Sequence, residues 1–128
     1  MMRLPPQLQA QYDDLVNVEQ SLRTIINQQG QMKHQKSMIE NAISEIEATK
    51  EINPDTTIYK SAGVILIKVP DMDKTLEELK EKEELLNIRI TTLDKQIKRL
   101  EQTLNTKREQ FKQAAQQMTQ AQDFKKPM

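Results

Sequence analysis

Apolar residues recur every seven positions along two long stretches of this chain, and a proline-containing break separates them. In the first stretch one seam, a, holds Leu8, Leu15, Leu22, Gln29, Lys36 and Ile43, and a second, d, holds Val18, Ile25, Met32, Ile39 and Ile46. Nine of these eleven positions are apolar, a sustained pattern that favours a coiled-coil helix over an ordinary amphipathic one. In the second stretch a holds Leu76, Glu83, Ile90, Ile97, Leu104, Phe111 and Met118, and d holds Leu79, Leu86, Leu93, Leu100, Lys107, Ala114 and Ala121. Twelve of these fourteen are apolar. A chain patterned in this way folds mainly as α-helix and buries one narrow stripe on each helix.

The ends of the two stretches carry their own signals. Pro5 and Pro6 suit a helix start, where the missing N–H of proline costs nothing. In "INPDTT", Pro54 disfavours helical geometry at Asn53 and ends the first helix. Pro70 closes the segment between the helices, Asp71 or Asp73 caps the second helix, and Glu77 and Glu78 in its first turn complement the positive end of the dipole. Glu78 with Lys82 and Asp94 with Lys98 form i,i+4 pairs in the favoured order. The pattern predicts one domain over residues 1–128: a helix over 6–50, a β-hairpin over 56–70, a helix over 73–121 and a flexible tail over 122–128.

At ~1.5 Å per residue the two helices are each roughly 65–75 Å long. Their similar lengths predict that they fold back on one another as an antiparallel coiled coil. With the fold point near Ser61 and Ala62, Lys36 comes within a turn of Glu83, and Lys107 lies near Asp13 and Asp14. Pairing across the seam predicts that these charges help to fix the register; the alternative is that the long side chains reach out past the seam into water.

The intervening "IYKSAGVILIKVP" is the one segment that reads as β-structure. "SAG" predicts a three-residue turn with Gly63 in a left-handed position, Ile58 and Tyr59 leading in and Val64 to Val69 leading out. Ile65, Ile67 and Val69 then share one face while Val64, Leu66 and Lys68 share the other, so the strand asks for cover on both sides. Full burial of such a side chain stabilises by ~1.5–3 kcal/mol, whereas ordering one backbone residue costs ~1–2 kcal/mol. The hairpin is therefore stable only if nearly all its apolar groups are covered. The chain has no further strands to do this, which predicts an obligate oligomer with a β-structure shared between subunits. The other reading is a loop packed on the ends of its own helices.

Composition narrows the function further. With 19 basic and 19 acidic residues, no net field draws the chain to nucleic acid or an acidic membrane surface. No apolar run reaches the ~20 residues of a membrane span, and "MMRLPPQ" lacks the apolar core of a signal peptide, so a cytoplasmic location is expected. Without cysteine there is no disulfide framework and no thiolate chemistry. The single histidine, His34, falls at an f position away from the seam. The cluster Glu77, Glu78, Glu81, Glu83 and Glu84 is interleaved with lysines at helical spacing and reads as a solvated face. No phosphate-binding glycine loop or metal-ligand spacing occurs. An enzyme is not expected, and neither a cofactor nor a metal.

Taken together, "LPPQLQAQY" opening a helix, a breaker, "IYKSAGVILIKV" and a second helix beginning "LEELKEKEELLNIRITTLDKQIKRLE" resemble the prefoldin family, and specifically its β-type subunits in their archaeal form. The resemblance covers nearly the whole chain and is most specific at Tyr59, Lys60, Ser61, Gly63 and the following "ILIKV". A single hairpin is similar to the β class, since α-type subunits carry additional strands. The resemblance implies a hexamer of two α and four β subunits, with hairpins assembled into intersubunit β-barrels and coiled coils projecting from them. It implies an ATP-independent holdase that captures unfolded proteins at the coiled-coil tips and delivers them to a group II chaperonin. Ile58, Tyr59, Gly63, Val64, Ile65, Leu66, Ile67 and Val69 would then make the oligomerisation hairpin.

If the hairpin marks the centre of assembly, the free end gathers Leu4, Leu8 and Tyr12 with Phe111, Met118 and Phe124. There the seam weakens to Ala114 and Ala121 amid the glutamines of "QAAQQMTQAQ", so apolar side chains at this end are candidates for client binding. Leu8, Phe111 and Met118 serve equally well as the last layers of the seam. Lys125 and Lys126 in the tail offer charge for chaperonin docking, or simply solubility. The rival functional class is a coiled-coil scaffold or adaptor with one defined partner. A holdase differs from it in promiscuity, because unrelated denatured proteins compete for one site. A basic-zipper DNA binder is disfavoured by the neutral charge and the lack of a basic block before the heptads.

Overall fold

The computed structural model describes residues 4–125, with side chains described through Thr119. The elements run in the order α1 (Pro6–Ile52), β1 (Tyr59–Ala62), β2 (Ile65–Lys68) and α2 (Met72–Lys125). Helix α1 begins as the prolines require: Pro6 is its first residue, and the Pro5 carbonyl accepts the Gln9 N–H at 2.8 Å. It ends at the predicted breaker. The Asn53 N–H donates to the Thr49 carbonyl at 2.9 Å, and the Asn53 side-chain oxygen accepts the Asp55 N–H at 3.0 Å, closing a turn over Pro54.

Asp71, rather than Asp73, caps α2. Its carboxylate accepts the N–H groups of Asp73 at 3.0 Å and Lys74 at 3.2 Å, the second and third residues of the helix. Asp73 is the acidic residue of the first turn; Glu77 and Glu78 come one turn later than expected. The helix continues to Lys125, so 122–125 are helical where a flexible tail was expected. The reason is that no breaker precedes Pro127; residues 126–128, with Lys126, lie outside the described residues.

The chain divides into two compact units, a terminal unit that reaches Gln28 in α1 and restarts at Leu93 in α2, and a hairpin unit, Gln29–Thr92. In each unit the helices pair antiparallel. The hairpin unit has Lys50 bonded to Asp73 and Glu47 to Lys80 at 3.1 Å. The terminal unit has Lys107 bonded to Asp14, as the register predicted, and Arg108 to Glu19 at 2.8 Å. Every described seam position is buried or half-buried in both helices.

Two charge expectations fail. Lys36 pairs at 3.5 Å with Glu40 on its own helix instead of crossing to Glu83. Both Lys36 and Glu83 are only half-buried, so the lysine reaches water and an i,i+4 carboxylate without the cost of ordering a cross-seam bridge. Asp94 pairs with Lys98 at 3.2 Å, but no ion pair joins Glu78 to Lys82 among the described residues. The seam does contain one polar anchor that charge reasoning passes over. Gln29, 7% exposed, is the buried polar residue of the described chain, and its amide donates to the Ile90 carbonyl of α2 at 3.2 Å.

The hairpin turn is tighter than expected. Ala62 pairs with Ile65, leaving the two-residue loop Gly63-Val64, and Ser61 and Ala62 belong to β1. Gly63 has φ +65° and Val64 has no positive φ, the signature of a type II′ turn, whose twist matches that of the flanking strands. Val64 is thus a turn residue, not part of the strand.

Two glycine substitutions are expected to move stability in opposite directions, because neither residue has an atom within 4 Å of an added Cβ. Gly63→Ala should cost about 1 kcal/mol through its left-handed backbone, and Gly30→Ala, inside α1, should add about 1 kcal/mol through helix propensity. Urea unfolding followed by circular dichroism measures both. Gln29→Leu should raise the thermal midpoint by about 3–6 °C, since leucine fills the seam and the Ile90 carbonyl keeps its place in the α2 ladder; a lower midpoint would mean that the cross-helix hydrogen bond outweighs apolar burial.

Candidate assembly and capture surfaces

In the hairpin unit the antiparallel register sorts side chains into two unlike faces. Tyr59 opposes Lys68, Lys60 opposes Ile67, Ser61 opposes Leu66, and Ala62 opposes Ile65. Opposed residues share a face, so Lys60, Ala62, Ile65 and Ile67 form one and Tyr59, Ser61, Leu66 and Lys68 the other. The Val69 N–H donates to the Ile58 carbonyl at 2.9 Å, which extends the first face with two more apolar residues. That face is apolar except for Lys60, and the second is mixed, a sharper division than the expected pair of apolar faces.

Ile58 and Val69 are half-buried at the base of the hairpin, while Tyr59, Ile65, Leu66 and Ile67 are exposed, Leu66 to 69%. Val64 at the turn is fully exposed. Among the described residues the sheet has two strands, so both of its edges are unpaired. Alternation from the Ile58–Val69 bond makes Lys60–Ile67 and Ala62–Ile65 the hydrogen-bonded pairs. The backbone groups of Tyr59 and Ser61 then point out along one edge and those of Leu66 and Lys68 along the other. Each edge is a template for an incoming strand. A groove of about 450 Å³ at the hairpin base is lined by Ala42, Ile46, Thr49, Ile58, Val69 and Leu79, with Glu45, Lys60, Glu78 and Lys82 also in its lining.

The terminal unit assembles the other candidate residues. Tyr12 and Phe111 pack with ring centroids 6.2 Å apart and planes tilted by 49°; Tyr12 is nearly half exposed and Phe111 half-buried. Leu8 is 5% exposed and belongs to the seam, not to the exposed apolar surface. Met118 is half-buried, and Leu4 is exposed. The Phe124 side chain lies outside the described residues. Where Ala114 holds a seam position, its short side chain leaves a groove of about 200 Å³ lined by Gln7, Leu8, Gln11, Ala114, Gln117 and Met118. The alanines and the glutamines are visible in the sequence, but that Ala114 and three glutamines border one groove depends on how the two helices pair. Among the described residues no helix is long and apolar enough to cross a membrane, and no cluster of His, Cys, Asp and Glu is suited to a metal ion.

A family model described as Prefoldin subunit matches residues 8–118. The chain belongs to the prefoldin family. It is 38% identical to prefoldin subunit beta of Thermococcus onnurineus over 104 residues, which cover 81% of this chain and 86% of that protein. Prefoldin subunit beta of Pyrococcus furiosus is 34% identical over 116 residues, 91% of this chain and 92% of that one. The crystal structure of the prefoldin beta subunit from Thermococcus strain KS-1 matches with a TM-score of 0.73 and 32% identity, covering 89% of this chain and 96% of that one. These likenesses make the chain a β-type prefoldin subunit with the coiled-coil and hairpin architecture of its class, hence a subunit of a chaperone. The matched range includes both strands, Tyr12, Phe111 and Met118, and stops short of Leu4 and Phe124.

The Tyr12–Phe111 contact is open to a double-mutant cycle. Tyr12→Ala, Phe111→Ala and the double variant should show a coupling of about 0.5–1.5 kcal/mol by denaturant unfolding, the range of tilted aromatic pairs. Additive losses would mean that the rings merely share a surface.

Proposed function

We propose that this prefoldin subunit is an ATP-independent holdase component whose hairpin joins those of α-type subunits and of other copies of itself, two α and four β in all. The observation that carries the reading is the hairpin. Ile65, Leu66 and Ile67 lie exposed on a two-stranded sheet with two open edges, a state marginal in water by itself and satisfied by strands from neighbouring subunits. Ile58, Tyr59, Gly63, Val64 and Val69 complete that assembly element. Unfolded client proteins are captured at the terminal unit by Leu4, Tyr12, Phe111, Met118 and Phe124, with Leu8 joining when the last layers of the seam part, and pass from there to a group II chaperonin. The work is done in the cytoplasm and involves no catalysis. The exposed Tyr12 and the half-buried Phe111 and Met118, with small alanines beside them, suit adaptable apolar contacts.

The test is the mass of the purified chain by light scattering, alone and mixed with an α-type subunit, together with suppression of aggregation of several unrelated denatured proteins. A discrete hexamer that suppresses aggregation, with the clients competing for it, is expected. Ile65→Lys with Ile67→Lys should abolish the hexamer, leave the helical circular dichroism signal intact, and weaken capture about 100-fold through lost multivalency. A stable monomer in both mixtures, or a hexamer that holds one protein alone, would overturn the reading.

A further inference from the structure

Charge is distributed unevenly in this chain. Charged residues make up 30% of the sequence, yet 4–12 ("LPPQLQAQY") and 113–122 ("QAAQQMTQAQ") contain none. The terminal unit brings these two stretches together: the groove of about 200 Å³ has Leu8, Ala114 and Met118 as its apolar lining and Gln7, Gln11 and Gln117 as its polar lining. The last ion pairs between the helices in this unit, Asp14 with Lys107 and Glu19 with Arg108, fall outside the charge-free stretches. The groove at the hairpin base differs, since its lining includes Glu45, Lys60, Glu78 and Lys82.

The volume is below the ~300–1,000 Å³ of a small-molecule site and suits one or two apolar side chains. All three glutamines are exposed, and none of their side-chain amides makes a hydrogen bond among the described residues; the side chain of the neighbouring Gln9, by contrast, donates to Asp13 at 2.9 Å. A primary amide offers both an acceptor and two donors, so it can pair with a peptide N–H or a peptide C=O. An unfolded chain differs from a folded one in presenting unpaired peptide groups beside exposed apolar side chains. A surface without charges can bury such a segment without stranding a desolvated ion.

Resting on the capture reading above, we propose that this groove recognises the backbone of an extended, uncharged polypeptide segment: the amides of Gln7, Gln11 and Gln117 hydrogen-bond its peptide groups while Leu8, Ala114 and Met118 take up an apolar side chain. Selection is then for exposed backbone next to a neutral apolar residue, with no contribution from client charge.

The experiment titrates the assembled full-length complex against a short fluorescent peptide of uncharged apolar residues, and against the same peptide methylated on alternate backbone nitrogens. Methylation should weaken binding about tenfold, and raising salt from about 0.05 to 0.5 M should change the affinity of the parent peptide less than about twofold. The triple variant Gln7→Ala, Gln11→Ala, Gln117→Ala should bind the parent peptide about tenfold more weakly and lose the distinction between the two peptides. Equal binding of both peptides to the unaltered complex would overturn the proposal, as would a steep salt dependence. A triple variant with altered mass would overturn it in favour of a second copy of the chain as the occupant. If neither peptide binds but denatured proteins are still held, the groove inference fails and the holdase reading survives; if denatured proteins are not held either, both fail.

Discussion

The structure depends on a single seam of apolar contact, and a two-helix seam is a thin interior. Its most protected residues, Leu8 and Leu104, still keep 5% of their surface, and among the described residues no side chain falls below 2%. Stability is therefore spread along the helices in small increments, each heptad layer adding its share. Such a molecule tolerates a weak layer. Gln29 in the hairpin unit and Lys107 with Ala114 in the terminal unit are layers of that kind, and each exchanges apolar burial for something else: a hydrogen bond across the seam, an ion pair, or an open groove.

The distribution of those weak layers gives the two units their different chemistry. In the hairpin unit the seam is closed by Ile43, Leu76 and Leu86, all buried, and apolar residues are exposed on the strands and their turn as well as on the helices, at Met38, Ile52, Leu85 and Ile88. In the terminal unit the seam thins toward Ala114, and the exposed apolar and aromatic groups come from the helices themselves. The proposed assembly surface, made from backbone edges, and the proposed capture surface, made from helix side chains, would place different demands on a partner. Edges demand a strand in register, whereas a shallow apolar groove accepts many sequences.

How much of this was legible in the sequence follows from what is local. The heptad positions were, because periodicity needs no knowledge of the partner helix, and so were the breaker at Asn53-Pro54 and the positive φ at Gly63. The turn type was not. Whether "SAG" or Gly63-Val64 forms the loop depends on which residues pair across the hairpin, and strand register is a relation between two segments. The partner of Lys36 depended on a competition between Glu83 across the seam and Glu40 on the same helix, which a side chain with a long aliphatic stem settles in favour of water. The partner of Gln29 is a backbone oxygen, and backbone atoms have no letter in a sequence. Leu8 satisfied two descriptions, apolar near a terminus and apolar at a seam position, and packing chose the second.

The placement of Lys60 and Lys68 bears on what the open hairpin edges are prevented from doing. Cross-strand pairing puts one lysine on each face of the sheet, opposite Ile67 and Tyr59 respectively. If copies joined edge to edge in a flat sheet, each would add two strands, and like charges on both faces would repeat every ~9.6 Å, two strand spacings. In a curved, twisted closure the lysine on the convex face instead splays away from its copies. A sheet with two live edges faces a choice between an endless fibre and a finite ring, and on the proposed assembly the outward amine would bias that choice toward the ring.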